Sequence, residues 1–272
     1  MALRAGGVVR PASWGALGGG AAVGTLGGLI GLGGAEFRLP LLIGGFGFKA
    51  RVAVPLNLLV SLVTVAAALA SRLLFLEVSP LAAHALEILA LLAGAMTAAW
   101  FGAGWLAAMS DRVLEPLIAA LLLAIAVLLV AEAVLPTGLT LDPPATAGAK
   151  TALGLACGVV IGTVSSLLGV AGGELIIPVL VFLFAVDIKS AGTASLIISL
   201  PTVAIGLVRY WRAGAFGDRA ALRGVAAPMA VGSVLGANIG AALAGIAPSG
   251  VIKLLLGLVL AASALKLLRG RP

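Results

Sequence analysis

Apolar residues run along this chain in long unbroken blocks rather than at every second or every third to fourth position. Blocks of about 20 residues, the length a helix needs to cross a bilayer, cover residues 13–32, 52–71, 80–109, 113–135, 151–170, 190–210, 220–246 and 251–268. Two further apolar pieces, 36–48 and 174–186, have 13 residues each. As helices they would be about 20 Å long, short of the roughly 30 Å hydrocarbon core. Continuous rather than alternating hydrophobicity excludes the strands of a membrane barrel. The clear polar interruption is residues 136–150, PTGLTLDPPATAGAK. The pattern predicts an all-α polytopic membrane protein with eight long transmembrane helices and two short or broken ones.

The chain also repeats itself. At an offset of 138 residues, GTLGGLIGLGGAEFRLPLL from Gly24 aligns with GTVSSLLGVAGGELIIPVL from Gly162. Identical pairs include Gly31/Gly169, Gly34/Gly172, Glu36/Glu174 and Pro40/Pro178. Without a gap the same offset pairs Leu58 with Leu196, Ser61 with Ser199, Gly94 with Gly232 and Gly102 with Gly240. Shared Ala and Leu would follow from composition alone; Glu, Pro and glycines held in register do not. Residues 1–135 form a first repeat, 136–150 a linker and 151–272 a second repeat. Two repeats in a membrane chain are the mark of secondary transporters. Four spans per repeat would make the halves parallel, and five would make them inverted. The paired short segments favour inverted repeats, and the distribution of Lys and Arg places both termini in the cytoplasm in either case.

Composition narrows the chemistry. Of 272 residues, 62% are hydrophobic and 10% charged, against about 45–50% and about 25% in a soluble domain. One cysteine (Cys157) and one histidine (His84) leave no intramolecular disulfide and no histidine- or cysteine-based metal site. No GxxxxGK[ST] loop or GxSxG elbow occurs. An enzyme is therefore not expected, and neither cofactor nor metal is called for. The net charge of +7 is spread between apolar blocks, which fits cytoplasmic anchoring of loops rather than nucleic acid. The N-terminal apolar block outlasts a signal-peptide core and reads as an uncleaved first helix.

The sharpest motif is the pair Gly31-Leu32-Gly33-Gly34-Ala35-Glu36 and Gly169-Val170-Ala171-Gly172-Gly173-Glu174. Closely spaced glycines oppose a helix, and a proline follows each Glu by four residues. A helix restarting after such a break offers free backbone N–H groups to an anion. Close helix packing through small residues is the alternative. Glu36 and Glu174 at the restart gain from the helix dipole; they could also form a protonatable coupling pair. A permanently ionised Glu beside an anion site would repel the substrate, so the coupling reading requires a raised pKa.

Twice over, this glycine-rich motif followed by Pro, with GVAGGELIIPVL at Gly169 and KSAGTASL at Lys189, resembles the sulfite exporter TauE/SafE family (TSUP permeases). The resemblance covers nearly the whole chain. It implies a transporter in the cytoplasmic (inner) membrane moving sulfite, an organosulfonate such as sulfoacetate, or a related small anion. The first copy departs from the pattern with Ala35, and with Arg38 where the second copy has Ile176.

Arg38 inside an apolar stretch needs compensation, from a bound anion, from Glu36 or by snorkelling. Asn57 and Ser61 share a helix face, as do Ser195 and Ser199, with Thr193 nearby. These neutral donors suit an oxyanion; helix–helix hydrogen bonding is their other reading. The expected substrate-binding set is thus Gly33, Gly34, Ala35, Arg38, Asn57, Ser61, Ala171, Gly172, Gly173, Thr193, Ser195 and Ser199, with Glu36 and Glu174 as coupling candidates. Asn238 and Trp100, at matched positions, are placed on the same interface. Arg51 and Lys189 read as interfacial anchors, as do Trp14, Trp105 and Trp211. His84 and Glu87 read as an interfacial pair, and Asp111, Arg112 and Glu115 as a loop cluster. The function expected is secondary transport, as export, of small sulfur-containing anions by alternating access at the paired breaks. An anion channel or a permease for another small solute is the alternative. The oligomeric state stays open, a homodimer included.

Overall fold

Glycine spacing decides how the first helix packs. In α1 (Ser13–Ile30), Gly20, Gly24 and Gly28 recur every fourth residue and so line one face. A Cβ on any of them would strike the backbone of Met229, Ser233 or Ala237 respectively. The reverse holds too: Gly232 lies against Leu17 and Gly236 against Ala21. Two backbones approach this closely only where side chains are missing, the usual device for joining helices in lipid.

The computed structural model describes residues 13–30, 33–75, 79–108 and 143–243, and single positions within 110–131 and 254–265. The expected spans 113–135 and 251–268 therefore fall largely outside the described residues, as do the Asp111, Arg112 and Glu115 cluster and most of the linker. After α1 come α2 (Ala35–Pro40), running into a π-helical turn at Leu41–Gly45, then α3 (Ala50–Phe75). A 3-10 turn (Ser79–His84) leads into α4 (Ala85–Ala108). The second half has α5 (Ala147–Leu168), α6 (Gly173–Phe184) and α7 (Ile188–Arg212). A short turn of helix (Arg219–Ala221) and a π-helical turn (Leu222–Ala226) then open α8 (Ala227–Leu243). Among the described residues there is no strand. Among the described residues, five stretches are long and apolar enough to cross a membrane: Ala50–Leu73, Leu81–Phe101, Ala147–Leu168, Ser190–Arg212 and Arg219–Gly240.

The α1–α8 contact occurs a second time, shifted by 138 residues. On α5, Gly158 and Gly162 lie against Leu91 and Ala95 of α4, and Gly94 of α4 against Leu155. Each half thus packs its first helix on a helix of the other, and the halves interlock. Large apolar side chains on these helices, among them Leu89, Phe101, Val160, Val231, Leu235 and Ile239, remain exposed. Such a surface suits lipid, not water. Trp14 (80% exposed) and Trp211 (71%) project furthest, as the interfacial-anchor reading requires.

Both glycine motifs interrupt the helix. α5 stops at Leu168, where Gly169 turns left-handed (φ 64°) and its N–H bonds the Ser165 carbonyl. Helix resumes after Gly172 (φ 81°); in the first repeat Gly34 (φ 70°) holds the matching place before α2. A side chain at φ near +70° is strained, and a Cβ on Gly34 would also collide with the Val23 carbonyl. That is why glycine recurs at this one register position. At about 18 Å, the 12-residue α6 is shorter than the bilayer core.

Candidate functional site

α2 carries its chemistry in one turn. Arg38, in the last turn of the helix and fully buried, neither snorkels nor pairs with an acid among the described residues. Its guanidinium instead makes four hydrogen bonds to neutral oxygens. Nε donates to Asn57 Oδ1 (3.3 Å), Nη2 to Ser61 Oγ (3.0 Å), and Nη1 to both Thr64 Oγ1 (3.0 Å) and Ser233 Oγ (3.1 Å). Three of the acceptors are themselves oriented by the backbone. Asn57 Nδ2 donates to the Ala35 carbonyl (2.9 Å), Ser61 to Asn57 O (2.7 Å) and Thr64 to Val60 O (2.8 Å). The α3 side chains that hold the cation are thus fixed independently of it. Neutral oxygens satisfy hydrogen bonds without cancelling charge, so the site keeps a buried positive centre.

Asn57 and Ser61 are brought to Arg38 as the i, i+4 spacing implies; Thr64 continues that face by one more turn. Ser233 comes from α8 of the other repeat. The clamp therefore ties α2, α3 and α8 together.

In the second repeat, Ile176 stands where Arg38 stands in the first, fully buried. The polar row survives on α7 as Ser195, Ser199 and Thr202, all buried. Its hydroxyls turn back on their own helix: Ser195 donates to Gly192 O (2.9 Å) and Thr202 to Ile198 O (2.7 Å). Ser199 Oγ is buried with no partner among the described residues. Thr193, half a turn earlier, receives Arg72 Nη1 at 3.5 Å; the missing side chain of Gly192 gives the guanidinium room.

Around the breaks, Gly33, Gly34 and Ala35 close on α1, where a Cβ on Gly27 would strike Gly33 and Gly34. Ala171, Gly172 and Gly173 are buried in the second break. Gly169 packs on the Val54 carbonyl of α3, so the second break rests on the helix that carries the Arg38 clamp. Ser165 Oγ donates to the Val170 carbonyl across that break.

Glu36 and Glu174, each in the first turn after its break, are completely buried. No donor among the described residues reaches any of their four carboxyl oxygens. Glu36 lies near enough to Arg38 to feel its charge, and Glu174 near enough to feel that of Glu36.

Other expected groups lie at the edges. Asn238 accepts from Ser71 (2.9 Å). At the matched place the Trp100 carbonyl accepts from Arg209 Nε (3.0 Å), and the Trp100 ring lies 4.7 Å beneath that guanidinium. Both tie helix flanks together rather than line the Arg38 cluster. Glu87 differs from the expected pairing with His84: Lys150 Nζ, brought in by α5, holds its Oε1 at 2.7 Å, while His84 Nδ1 has no hydrogen-bond partner among the described residues. Arg51 is exposed at the start of α3, and the side chains of Lys189 and Trp105 lie outside the described residues.

Searches of curated proteins and of solved structures each returned no match. The profile of the sulfite exporter TauE/SafE family matches residues 3–129 and 153–272, both repeats but not the linker between. With buried polar clusters inside apolar, membrane-length helices, the match has a clear meaning: the chain is an integral membrane protein of the sulfite exporter TauE/SafE family, a family of membrane transporters.

Proposed function

We propose that this protein is a secondary transporter that exports small sulfur-containing anions, sulfite or an organosulfonate, across the cytoplasmic membrane. The observation that carries this reading is the Arg38 guanidinium, fully buried and solvated by neutral oxygens beside a helix break. An ionised group at membrane depth marks a transport path by default, and a positive centre without a paired carboxylate selects anions. The substrate binds between the two breaks, touched by Gly33, Gly34 and Ala35 on one side and Ala171, Gly172 and Gly173 on the other. Arg38, Asn57 and Ser61 supply charge and donors from the first repeat; Thr193, Ser195 and Ser199 supply hydroxyls from the second. The repeats are inverted, both termini are cytoplasmic, and the site opens alternately to each side as one bundle rocks against the other. A negative-inside potential drives each anionic charge outward by about 2.3 kcal/mol per 100 mV.

The test is efflux from proteoliposomes loaded in turn with sulfite, thiosulfate, sulfate and sulfoacetate. Saturable release of a sulfur anion, slowed by Arg38→Ala and by Ser195→Ala, upholds the reading. Non-saturating conductance would mean a channel, and unchanged flux in both variants would remove the site assignment. Labelling of single cysteines in matched loops, from one face of the membrane at a time, checks the inverted arrangement: matched loops should react from opposite faces.

A further inference from the structure

Between Arg209 and Arg223 the sequence RYWRAGAFGDRAALR holds four arginines and a single acid, Asp218. The stretch joins two membrane-length helices, Ser190–Arg212 and Arg219–Gly240, so it lies at the depth of the lipid headgroups. Asp218 is engaged as a helix cap, accepting from the Ala220 and Ala221 N–H groups at 3.0 Å. Arg209 and Arg212, three residues apart and so on one face of α7, both reach across to α4. Their guanidinium carbons lie 4.7 Å and 5.7 Å from the centre of the same ring, that of Trp100. Neither arginine pairs with a carboxylate among the described residues. Each cation gains from the face of the indole, yet the two repel each other. An anion seated between them removes that repulsion, and a guanidinium grips a phosphate with two parallel N–H groups.

The duplication shows that helix packing does not call for these groups. At the matched corner Ser71 donates to Asn238 at 2.9 Å, joining α3 to α8 with two neutral side chains. Arg209 stands where the first repeat has Ser71, and Arg212 and Trp211 where it has Leu74 and Leu73. The two corners also lie at opposite ends of the molecule. Arg72, near the end of α3, meets Gly192 near the start of α7, while Leu58 meets Gly206, so the two helices run antiparallel. With both termini cytoplasmic, as proposed above, an even number of spans precedes residues 213–218 whether or not the short segments cross. The arginine corner then faces the cytoplasmic leaflet, whose surface is negatively charged.

We propose that Arg209, Arg212 and Trp100 bind the phosphodiester headgroup of one anionic phospholipid of the cytoplasmic leaflet. Trp100 holds the two guanidiniums over one spot, and its own indole sits at the headgroup level such rings prefer. Phe101, 55% exposed beside it, and Trp211, 71% exposed, give the lipid an apolar flank. The bound headgroup bridges α7 to α4, the contact that the Arg209 Nε bond to the Trp100 carbonyl already makes at 3.0 Å. From the transport reading this takes only the side of the membrane on which the termini lie.

Native mass spectrometry of the full-length protein, released from micelles containing phosphatidylglycerol or phosphatidylcholine, counts the lipids it retains. Wild type should hold one phosphatidylglycerol at least about tenfold more tightly than phosphatidylcholine. R209Q/R212Q should lose that preference. R219Q/R223Q removes the same charge from the same connection, away from Trp100, and should keep it. R212Q alone, at an exposed residue with no hydrogen bond to lose among the described residues, should weaken retention too, so that misfolding cannot stand in for loss of the site. Equal loss in both double variants would reduce the effect to diffuse surface charge and overturn the site, as would a wild type without preference. Glycerol phosphate, the same headgroup charge without acyl chains, should not displace the lipid at equal concentration; if it does, the ligand is a free anion and the lipid assignment fails. No anion need cross the membrane in these measurements, so their failure is separate from that of the transport reading.

Discussion

The two helix breaks share a backbone and differ in charge. Each has a left-handed glycine, Gly34 or Gly172, directly before the restarting helix, with a buried Glu in its first turn. Each faces a polar row at the same spacing, Asn57-Ser61-Thr64 in one case and Ser195-Ser199-Thr202 in the other. In both rows hydroxyls donate to their own helix; in the first the row also accepts from Arg38, whereas in the second Ile176 offers Ser195 and Thr202 no such donor and leaves Ser199 without a partner among the described residues. Duplication thus preserved the scaffold while only one copy carries the charge. In the proposed site an anion between the breaks would meet the Arg38 guanidinium on one side and the Ser195 and Ser199 hydroxyls on the other.

Breaking the shared scaffold should have the largest effect. Gly24→Leu and Gly162→Leu each force a side chain into the Ser233 or Ala95 backbone. Both should destabilise by more than the roughly 1–3 kcal/mol of ordinary overpacking, and by similar amounts, in thermal unfolding of detergent-solubilised protein. Next in size, Arg38→Met keeps the volume but strips four acceptors of their donor. Flux should drop at least tenfold, and Arg38→Lys should recover only part because an ammonium lacks the guanidinium fork. Exchanging the two residues, R38I/I176R, moves the cation to the second row; it should regain part of the anion binding that R38I loses. A smaller contrast separates the serines. Ser61→Ala removes a bond to a charged group, worth about 1.5–3 kcal/mol. Ser199→Ala removes a buried hydroxyl that has no partner among the described residues, so it should not destabilise the protein, while lowering substrate affinity.

Glycines, Glu and Pro in register make the duplication and the breaks legible in the residues alone, because only glycine tolerates φ near +70° where the helix restarts. The i, i+4 spacing puts Asn57 and Ser61 on one face, and extending it by a turn reaches Thr64. Ser233 leaves no such trace. It lies 195 residues from Arg38, and its counterpart under the repeat is Ala95, so neither periodicity nor duplication marks it. That Glu36 and Glu174 lie near each other is also hidden, since matched positions do not reveal whether two copies face each other or stand apart. That depends on where the relation between the repeats runs, a property of the whole packing. Spacing along the chain points Glu87 to the nearby His84, whereas its partner Lys150 lies across the polar linker and meets it only once α5 packs on α4.

The central claim, that an anion moves between the breaks under the pull of one buried guanidinium, is tested most directly by sulfite efflux from proteoliposomes. Wild type and Arg38→Gln should be compared at equal amounts of correctly folded protein. Wild-type efflux should be saturable and accelerated by an inside-negative potential, and the variant should lose at least tenfold. Equal efflux from both would contradict it.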